Sequence, residues 1–550
     1  MTTNILLRLF AATAVAATFA CTPRGPSAPS PDAGPPRSPP SPEAGPPRSP
    51  PVVLRAPVPP ANPALPAVPT VTGPLAIRVV YPPAGHLIQS RDSNFVFGSV
   101  GNGLAGLTVN GVPTPVWPNG AFVAWLANPS PENPRYDIVA TTGFDTVRLA
   151  QPVKIAPAVT APLTPLPPDT ILPMSPARYA TLIGPAVYPS DTDRVVTGYA
   201  PGGGAQRWFL FPGTIVKVTG TKGPDAYIDL DGREKIRIAR SDLDTLPLAY
   251  RPVPLRAGVF RTAVAEEWTD LNIPVTDRPA YLVRQTDSSL TLTLYGVAGP
   301  RTTPVSVNPG GNSYVTSARS MAVGALMQYS LALRGPVFGY LPLWENGVFT
   351  FRVRRPPAVD SAAPLRGLTI TVDPGHPPIG ATGPTGLWEP EATLPIGLRM
   401  QALLVAQGAN VIMTRTTPEA VALNDRPALA RRAGSHALVS IHLNAVPDGV
   451  NPLRVDGTAT YHFHPHSQAL ARTTQRGLVR ELALRDNGVK RENFAVVRLT
   501  WMPSVLAEGA FIIVPEQEAA LRTAEYQERY AKGLVTGLED YFRTLAGARR

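Results

Sequence analysis

The sequence predicts a multidomain protein, with a series of β modules first and an α/β domain with a mainly parallel sheet from about residue 366 onward. Three observations carry this. The chain has 550 residues, too many for a single hydrophobic core. Between about 75 and 356, short β-branched and aromatic runs are separated by Gly, Pro and Asn turns. Past the Pro-rich stretch that ends near Pro364 the period changes. Strand-like runs there alternate with helical stretches, the order that builds a parallel sheet covered by helices.

Composition narrows the setting. Charged residues make up 16% of the chain and prolines number 67, so part of it must be linker. The formal net charge of +11 suits an anionic neighbourhood such as a cell wall or a lipid surface. Nucleic acid is the other partner that charge raises. No zinc finger, basic helix or aromatic ribonucleoprotein motif supports it, and no nucleic-acid partner is expected. Residues 1–21 read as an export signal: Arg8 is the one charge, and an apolar run from Leu9 to Ala20 is too short to span a bilayer comfortably. Cys21 is the only cysteine, which excludes an intramolecular disulfide. Its position resembles the lipidated cysteine of bacterial lipoproteins, although Thr18 and Phe19 replace the usual Leu-small pair; plain secretion with cleavage near Ala20 is the alternative. The expected location is the cell envelope, by export, with membrane attachment through Cys21 where that residue is lipidated.

The elements follow in order. Residues 22–72 are Pro, Ala, Ser and Gly with the octapeptide Ala-Gly-Pro-Pro-Arg-Ser-Pro-Pro at 33–40 and again at 44–51. Such a segment has too few large apolar residues for a core and reads as a polyproline spacer, with a reach on the order of 150 Å at about 3.1 Å per residue. Residues 75–155 contain runs such as Ile77–Tyr81 and Thr146–Leu149 with an Asn110-Gly111 turn, and resemble a bacterial immunoglobulin-like β-sandwich. Residues 177–247, with Trp208–Phe211 and Thr214–Val218, suggest a small β-barrel of the wall-associated kind. A further β domain spans 250–356, as in Leu290–Tyr295 and Phe349–Val353. Wall binding, spacing and a purely structural role all remain open for these modules. In the α/β domain we expect a strand at 368–372, helix 391–407, strand 410–414, helix 425–433 and strand 437–442. A strand at 457–463, helix 467–485, a strand near 505–512 and a long final helix complete it.

The chemistry concentrates in this last domain. The run Thr369–Val372 stops at Asp373-Pro374-Gly375 and is followed by His376, which puts an imidazole at a strand end where a turn can hold it. Glu389 follows a Gly-rich loop, and His442 lies in Ser440-Ile441-His442-Leu443-Asn444. Two histidines and a carboxylate are a typical three-ligand set for a catalytic zinc, which leaves one position for water. Strand ends are also where ligands gather in parallel sheets. The ligands are far apart in sequence, so spacing alone does not establish the set. His462, His464 and His466 alternate along Tyr461–His466 and share a strand face only if the strand survives Pro465. An exposed, polar-faced strand end is the expected reading there; a second metal site or a substrate contact is the alternative. His86 and His436 read as structural or solvent-facing, and Asp373 as a turn former or a partner to a ligand.

Five motifs occur in order: Asp373-Pro374-Gly375-His376, Gly386-Leu387-Trp388-Glu389, Thr414-Arg415, Ser440–Ala445 and Pro503–Phe511. Together they resemble the zinc-dependent N-acetylmuramoyl-L-alanine amidases, specifically the family-3 amidases of bacterial cell-wall remodelling. The resemblance covers about 366–547 and nothing upstream, within a catalytic domain expected over 366–550. It implies Zn²⁺ bound by His376, Glu389 and His442, and Glu508 as the catalytic carboxylate that takes the proton of water and returns it to the leaving amine. The implied substrate is peptidoglycan, cut at the amide between N-acetylmuramic acid and L-alanine; a regulatory protein is a partner that the resemblance allows without requiring it. By the same resemblance, Arg426 and Asn444 have structural hydrogen-bonding roles. The chain departs from the pattern at Pro377-Pro378, where relatives carry glycines, and at Pro390-Glu391, where they carry a Lys-Asp pair. Those changes bear on the rim of the site and on substrate preference. A zinc peptidase acting within stem peptides, and a wall-binding regulator without turnover, are the competing readings.

Overall fold

The structure is a computed structural model that describes residues 55–143, 145–156, 171–183, 195–204, 207–305 and 313–547. The expected export signal, Cys21 and the spacer up to residue 54 lie outside the described residues.

The α/β domain is built on a six-stranded sheet. Its elements are β1 (Thr369–Pro374), α1 (Glu389–Ala406), β2 (Asn410–Met413), α2 (Asp425–Arg432), β3 (Ala437–Asn444), β4 (Thr458–His462), α3 (Gln468–Leu482), β5 (Asp486–Arg491), β6 (Ser504–Phe511), α4 (Pro515–Leu521) and α5 (Ala524–Gly547). The strand order is β2-β1-β3-β6-β4-β5. Pairs β1–β2, β1–β3, β3–β6 and β4–β5 are parallel, and β4 runs antiparallel to β6. The sheet is therefore mixed but mainly parallel. Strands β1, β3 and β6 are nearly continuous runs of buried residues because both faces are covered. Helices α1, α3 and α5 cover one face, through a core that includes Ile396, Met400, Leu478 and Leu538 against Ile370, Val439 and Val505. On the other face Leu438 and Leu506 pack with Ala430 of α2 and with Val496, Val497, Leu499 and Trp501 from the segment before β6.

Two β units rest on this domain. Residues 78–152 form two antiparallel sheets, of three and four strands, around a shared core that contains Val96, Leu107, Phe122 and Ile138. The three-stranded sheet turns a second face, with Phe95, Phe97 and Val123, into the same apolar cluster as the α/β domain. Residues 172–245 carry a five-stranded antiparallel sheet, and 255–354 carry further antiparallel sheets of four and five strands. The 177–247 and 250–356 segments share one hydrophobic cluster, in which Ile228 and Ile236 join Leu271, Leu292 and Phe351. The tail of the Pro-rich segment is also engaged. Leu65 is buried in the α/β core, and Arg529 Nη1 donates to Ala64 O at 2.7 Å.

Candidate metal centre

Three side chains that are distant in sequence meet at the C-terminal ends of β1 and β3. β1 delivers His376 just past Pro374-Gly375, β3 carries His442, and Glu389 opens α1. Pro390 suits the first helical turn, where its missing N–H has no partner to lose, and Glu391 accepts from the Trp388 N–H at 3.2 Å to close the helix start. His376 Nε2 stands 3.1 Å from Glu389 Oε2, and His442 Nδ1 stands 3.1 Å from Glu389 Oε1. The donor atoms of all three lie within 4.8 Å of one another. Glu389 is held from behind as well: its oxygens accept from the Ala381 and Leu443 N–H groups, each at 3.0 Å. Burial would raise this carboxyl, but the two imidazoles outweigh it and keep Glu389 ionised far below the usual carboxylate range. Burial would likewise lower His442, and Glu389 reverses the direction, so that imidazole holds its proton above the ordinary histidine range.

Space at the centre is shaped by a glycine. A Cβ on Gly375 would stand 2.6 Å from His442 Nε2, so close approach is what requires glycine here, where the sequence suggests only a turn. His376 itself adopts a left-handed backbone, with φ +59°. Its loop is tied down by Arg426, which donates to His376 O at 3.0 Å and to Pro377 O at 3.3 Å. Arg426 also pairs with Asp373 at 2.7 Å, and Asp373 accepts from Thr414 and Ser440, each at 2.6 Å. Asp373 is wholly buried, and its role is to fasten the base of the metal loop, the partner role that the sequence left open beside a turn role.

Glu508 lies on β6 directly beside His442 in the parallel register. Burial pushes its carboxyl up to about 8, with His442 pulling down and Glu389 pushing further up. Its Oε2 is buried and meets no hydrogen-bond partner among the described residues. Tyr530 sets the spacing of these two strands: its hydroxyl donates to the carbonyls of His442 or Ala507, both at 3.0 Å, and accepts from the Gly509 N–H at 2.8 Å. Sequence reasoning missed Tyr530, which lies on α5 with no local motif around it. It also missed Glu518, which accepts from the Thr385 and Leu387 N–H groups at 2.9–3.0 Å and braces the loop before Glu389. A third missed group is Asp448, six residues beyond His442. It pairs with Tyr81, accepts from Asn94 Nδ2 at 2.9 Å and sits 3.3 Å from His86, which binds the rim to the N-terminal sandwich.

The other histidines do not join the centre. His462, His464 and His466 are buried, with 5–7% exposure, which corrects the expectation of an exposed strand end. The strand stops at His462, and the chain then turns inward beneath the second β unit. His464 Nε2 meets Arg498 O at 2.9 Å and His466 Nδ1 meets Gln285 Oε1 at 3.0 Å. His436, expected to be structural or solvent-facing, is structural: its Nδ1 accepts from the Thr369 N–H at 3.0 Å.

A nitrogen–oxygen–nitrogen donor set, with a cradle too tight for a Cβ and a buried, unpartnered carboxylate oxygen beside it, suits a borderline divalent cation such as zinc. The profile of a family described as N-acetylmuramoyl-L-alanine amidase matches residues 370–540. YqiI of Bacillus subtilis, named as uncharacterized, is 34% identical over 192 residues, which are 34% of this chain and 90% of that protein. The amidase LytC of the same organism is 36% identical over 186 residues, 33% of this chain and 36% of LytC, so only about a third of that relative's length is matched. Among solved structures, the N-acetylmuramoyl-L-alanine amidase AmiC2 of Nostoc punctiforme is 32% identical, over 32% of this chain and 96% of that one, with a TM-score of 0.30.

Proposed function

The chain belongs, through residues 370–540, to the N-acetylmuramoyl-L-alanine amidase family, and from that premise we propose that it is an exported zinc hydrolase of peptidoglycan. The bond it cleaves is the amide between the lactyl group of N-acetylmuramic acid and L-alanine, in cell-wall remodelling or cell separation. The observation that carries this reading is the convergence of His376, Glu389 and His442 next to Glu508. Zinc held by the three ligands would supply Lewis acidity, which polarises a carbonyl and brings water toward ionisation near neutral pH.

The chain's own residues divide the remaining work. Glu389 positions both imidazoles and is itself fixed by two backbone N–H groups, so the ligand set is organised before substrate arrives. Next to a cation held by the three ligands, the raised Glu508 carboxyl would favour its ionised form, and in that form Glu508 accepts the proton of the attacking water and delivers it to the amide nitrogen as the C–N bond breaks. The products are the lactyl carboxylate on the glycan and a stem peptide with a free L-alanine amine. Tyr530 keeps β3 and β6 in register, so that Glu508 stays alongside His442. Action in the cell envelope, with anchoring through Cys21, belongs to the same reading and is supported by the apolar run before that cysteine and by the basic net charge.

The test is incubation of the full zinc-loaded chain with purified peptidoglycan, followed by mass analysis. Released stem peptides with an N-terminal L-alanine are the expected result. Cuts inside the stem peptide would replace the reading with a peptidase, and no cut by zinc-loaded protein would replace it with a wall-binding regulator.

A further inference from the structure

A cleft of about 760 Å³ opens between the second β unit and the α/β domain, away from the metal centre. One wall comes from Phe209, Arg284 and Tyr340 of the β unit, and the other from Phe463, Arg491 and the segment 495–501. The topology separates it from the catalytic end. β4 runs antiparallel to β6, with Ala459 opposite Glu508 and Tyr461 opposite Leu506. Phe463 therefore lies toward the N-terminal end of β6, whereas His376 and His442 stand at the C-terminal ends of β1 and β3. The size is that of a small-molecule or short-peptide site.

The lining has a definite chemical bias. Arg207, Arg284, Arg491 and Arg498 line it with a single acidic residue, Glu234; Arg491 is already engaged with Phe463, so the exposed Arg207 and Arg284 are the cations offered to a ligand. Guanidinium matches the planar fork of a carboxylate with paired hydrogen bonds. Aromatic residues, among them Phe209, Tyr340 and Phe463, line the same cleft and suit apolar groups in the same ligand. A polyol phosphate would satisfy the arginines but leave the rings uncovered. A peptide that carries carboxylates on short aliphatic residues satisfies both. The cleft also connects mechanically to the metal loop. Asn424 and Pro427 line it, and Arg426 between them holds the carbonyls of His376 and Pro377.

We propose that this cleft is a second, non-catalytic subsite that binds the carboxylate-bearing stem peptide of peptidoglycan. The identity of the peptide rests on the reading of the chain as a peptidoglycan amidase. The β unit then contributes directly to substrate retention: it holds one stem peptide while the metal centre works on another part of the wall.

The test is calorimetric titration of the full chain, freed of metal with a chelator, with sugar-free stem peptide. The exposed pair Arg207→Glu/Arg284→Glu should weaken binding at least tenfold, and Arg207→Gln/Arg284→Gln should weaken it less while retaining hydrogen-bonding groups. The neutral pair keeps the test decisive if charge reversal impairs folding. Unchanged affinity in both variants would overturn the proposal, as would displacement of the peptide by a polyol phosphate at lower concentration. The amidase reading fails separately: zinc-loaded wild type that releases no stem peptide, yet binds it through these arginines, refutes the reading and leaves the subsite in place.

Discussion

The protein holds two histidine constellations within one domain, and they behave in opposite ways. At the ends of β1 and β3, His376 and His442 flank Glu389, with their rings 4.8 Å apart and nearly perpendicular. Beyond β4, the rings of His464 and His466 stack in parallel at 5.5 Å among Tyr340, Phe209 and Phe463. The first pair has a buried carboxylate between its nitrogens, and His442 is pushed toward the charged form. The second has only carbonyl and amide partners, and burial holds both rings neutral, His466 at about 4. The number of histidines therefore does not decide which cluster suits a cation. A carboxylate that brings nitrogen lone pairs to a common point does so.

The largest effect expected from this contrast is that of Glu389→Ala. It removes a proposed ligand and the group that aligns both imidazoles, so zinc binding and peptidoglycan cleavage should both fall below detection. Zinc content by atomic absorption is the check, and retained stoichiometric zinc would remove Glu389 from the ligand set. A corresponding His464→Asn variant should keep its zinc in full.

Glu508→Gln separates binding from proton transfer. The amide retains the shape of the side chain and leaves the three ligands intact, so zinc content should match wild type. Turnover should drop about 10²–10⁴-fold, the scale of a lost general base. Measured kcat within twofold of wild type would exclude Glu508 from the reaction.

A smaller effect follows from Gly375→Ala. The added methyl group meets the His442 ring, which must tilt away from Glu389. Zinc affinity should weaken about 10- to 100-fold, the usual scale for disturbing a ligand's support. The loss should appear as faster zinc release to a chelator, and unchanged release would show that the ring can move without penalty.

The difference between these regions also explains what the sequence made legible. The mainly parallel sheet was readable because continuous apolar runs such as Thr369–Val372 and Ala437–Ile441 alternate with helical stretches. The convergence of His376, Glu389 and His442, the proposed ligands, was readable because each stands in a short motif at a strand or helix end. The residues that hold those ligands were not. Tyr530 and Glu518 act across 88 and 131 residues of chain, on His442 and on the loop before Glu389, and no local pattern records such a contact. β5 (Asp486–Arg491) escaped notice because Asp-Asn-Gly-Val-Lys-Arg reads as a turn, and pairing with β4 overrides that local preference. The burial of His462–His466 was hidden for a related reason: the β unit that covers them begins more than 200 residues earlier in the chain.

The last expected effect leaves the chemistry of the metal centre untouched and concerns stability and pH in the neutral cluster. His466 has a folded pKa of about 4 against an ordinary value of 6.5, because burial disfavours its charged form. Above pH 6.5 the ring is neutral in the folded and unfolded chain alike. As pH falls below 6.5 the unfolded chain takes up the proton first, so the stability contributed by this residue is lost between about 6.5 and about 4, by about 3 kcal/mol in all. Wild type compared with His466→Gln isolates the effect, since the other titrating groups are common to both and glutamine can still donate to Gln285. Wild type should unfold at the higher urea concentration at pH 7.5, and the two midpoints should converge as pH approaches 4. At the metal centre the sign is reversed. His442 is raised, so in metal-free protein its contribution is fully present below pH 6.5 and is lost as pH rises above that value. A midpoint difference between wild type and His466→Gln that stays constant from pH 7.5 to 4 would show that His466 is not held neutral, and the contrast between the two constellations would lose its electrostatic basis.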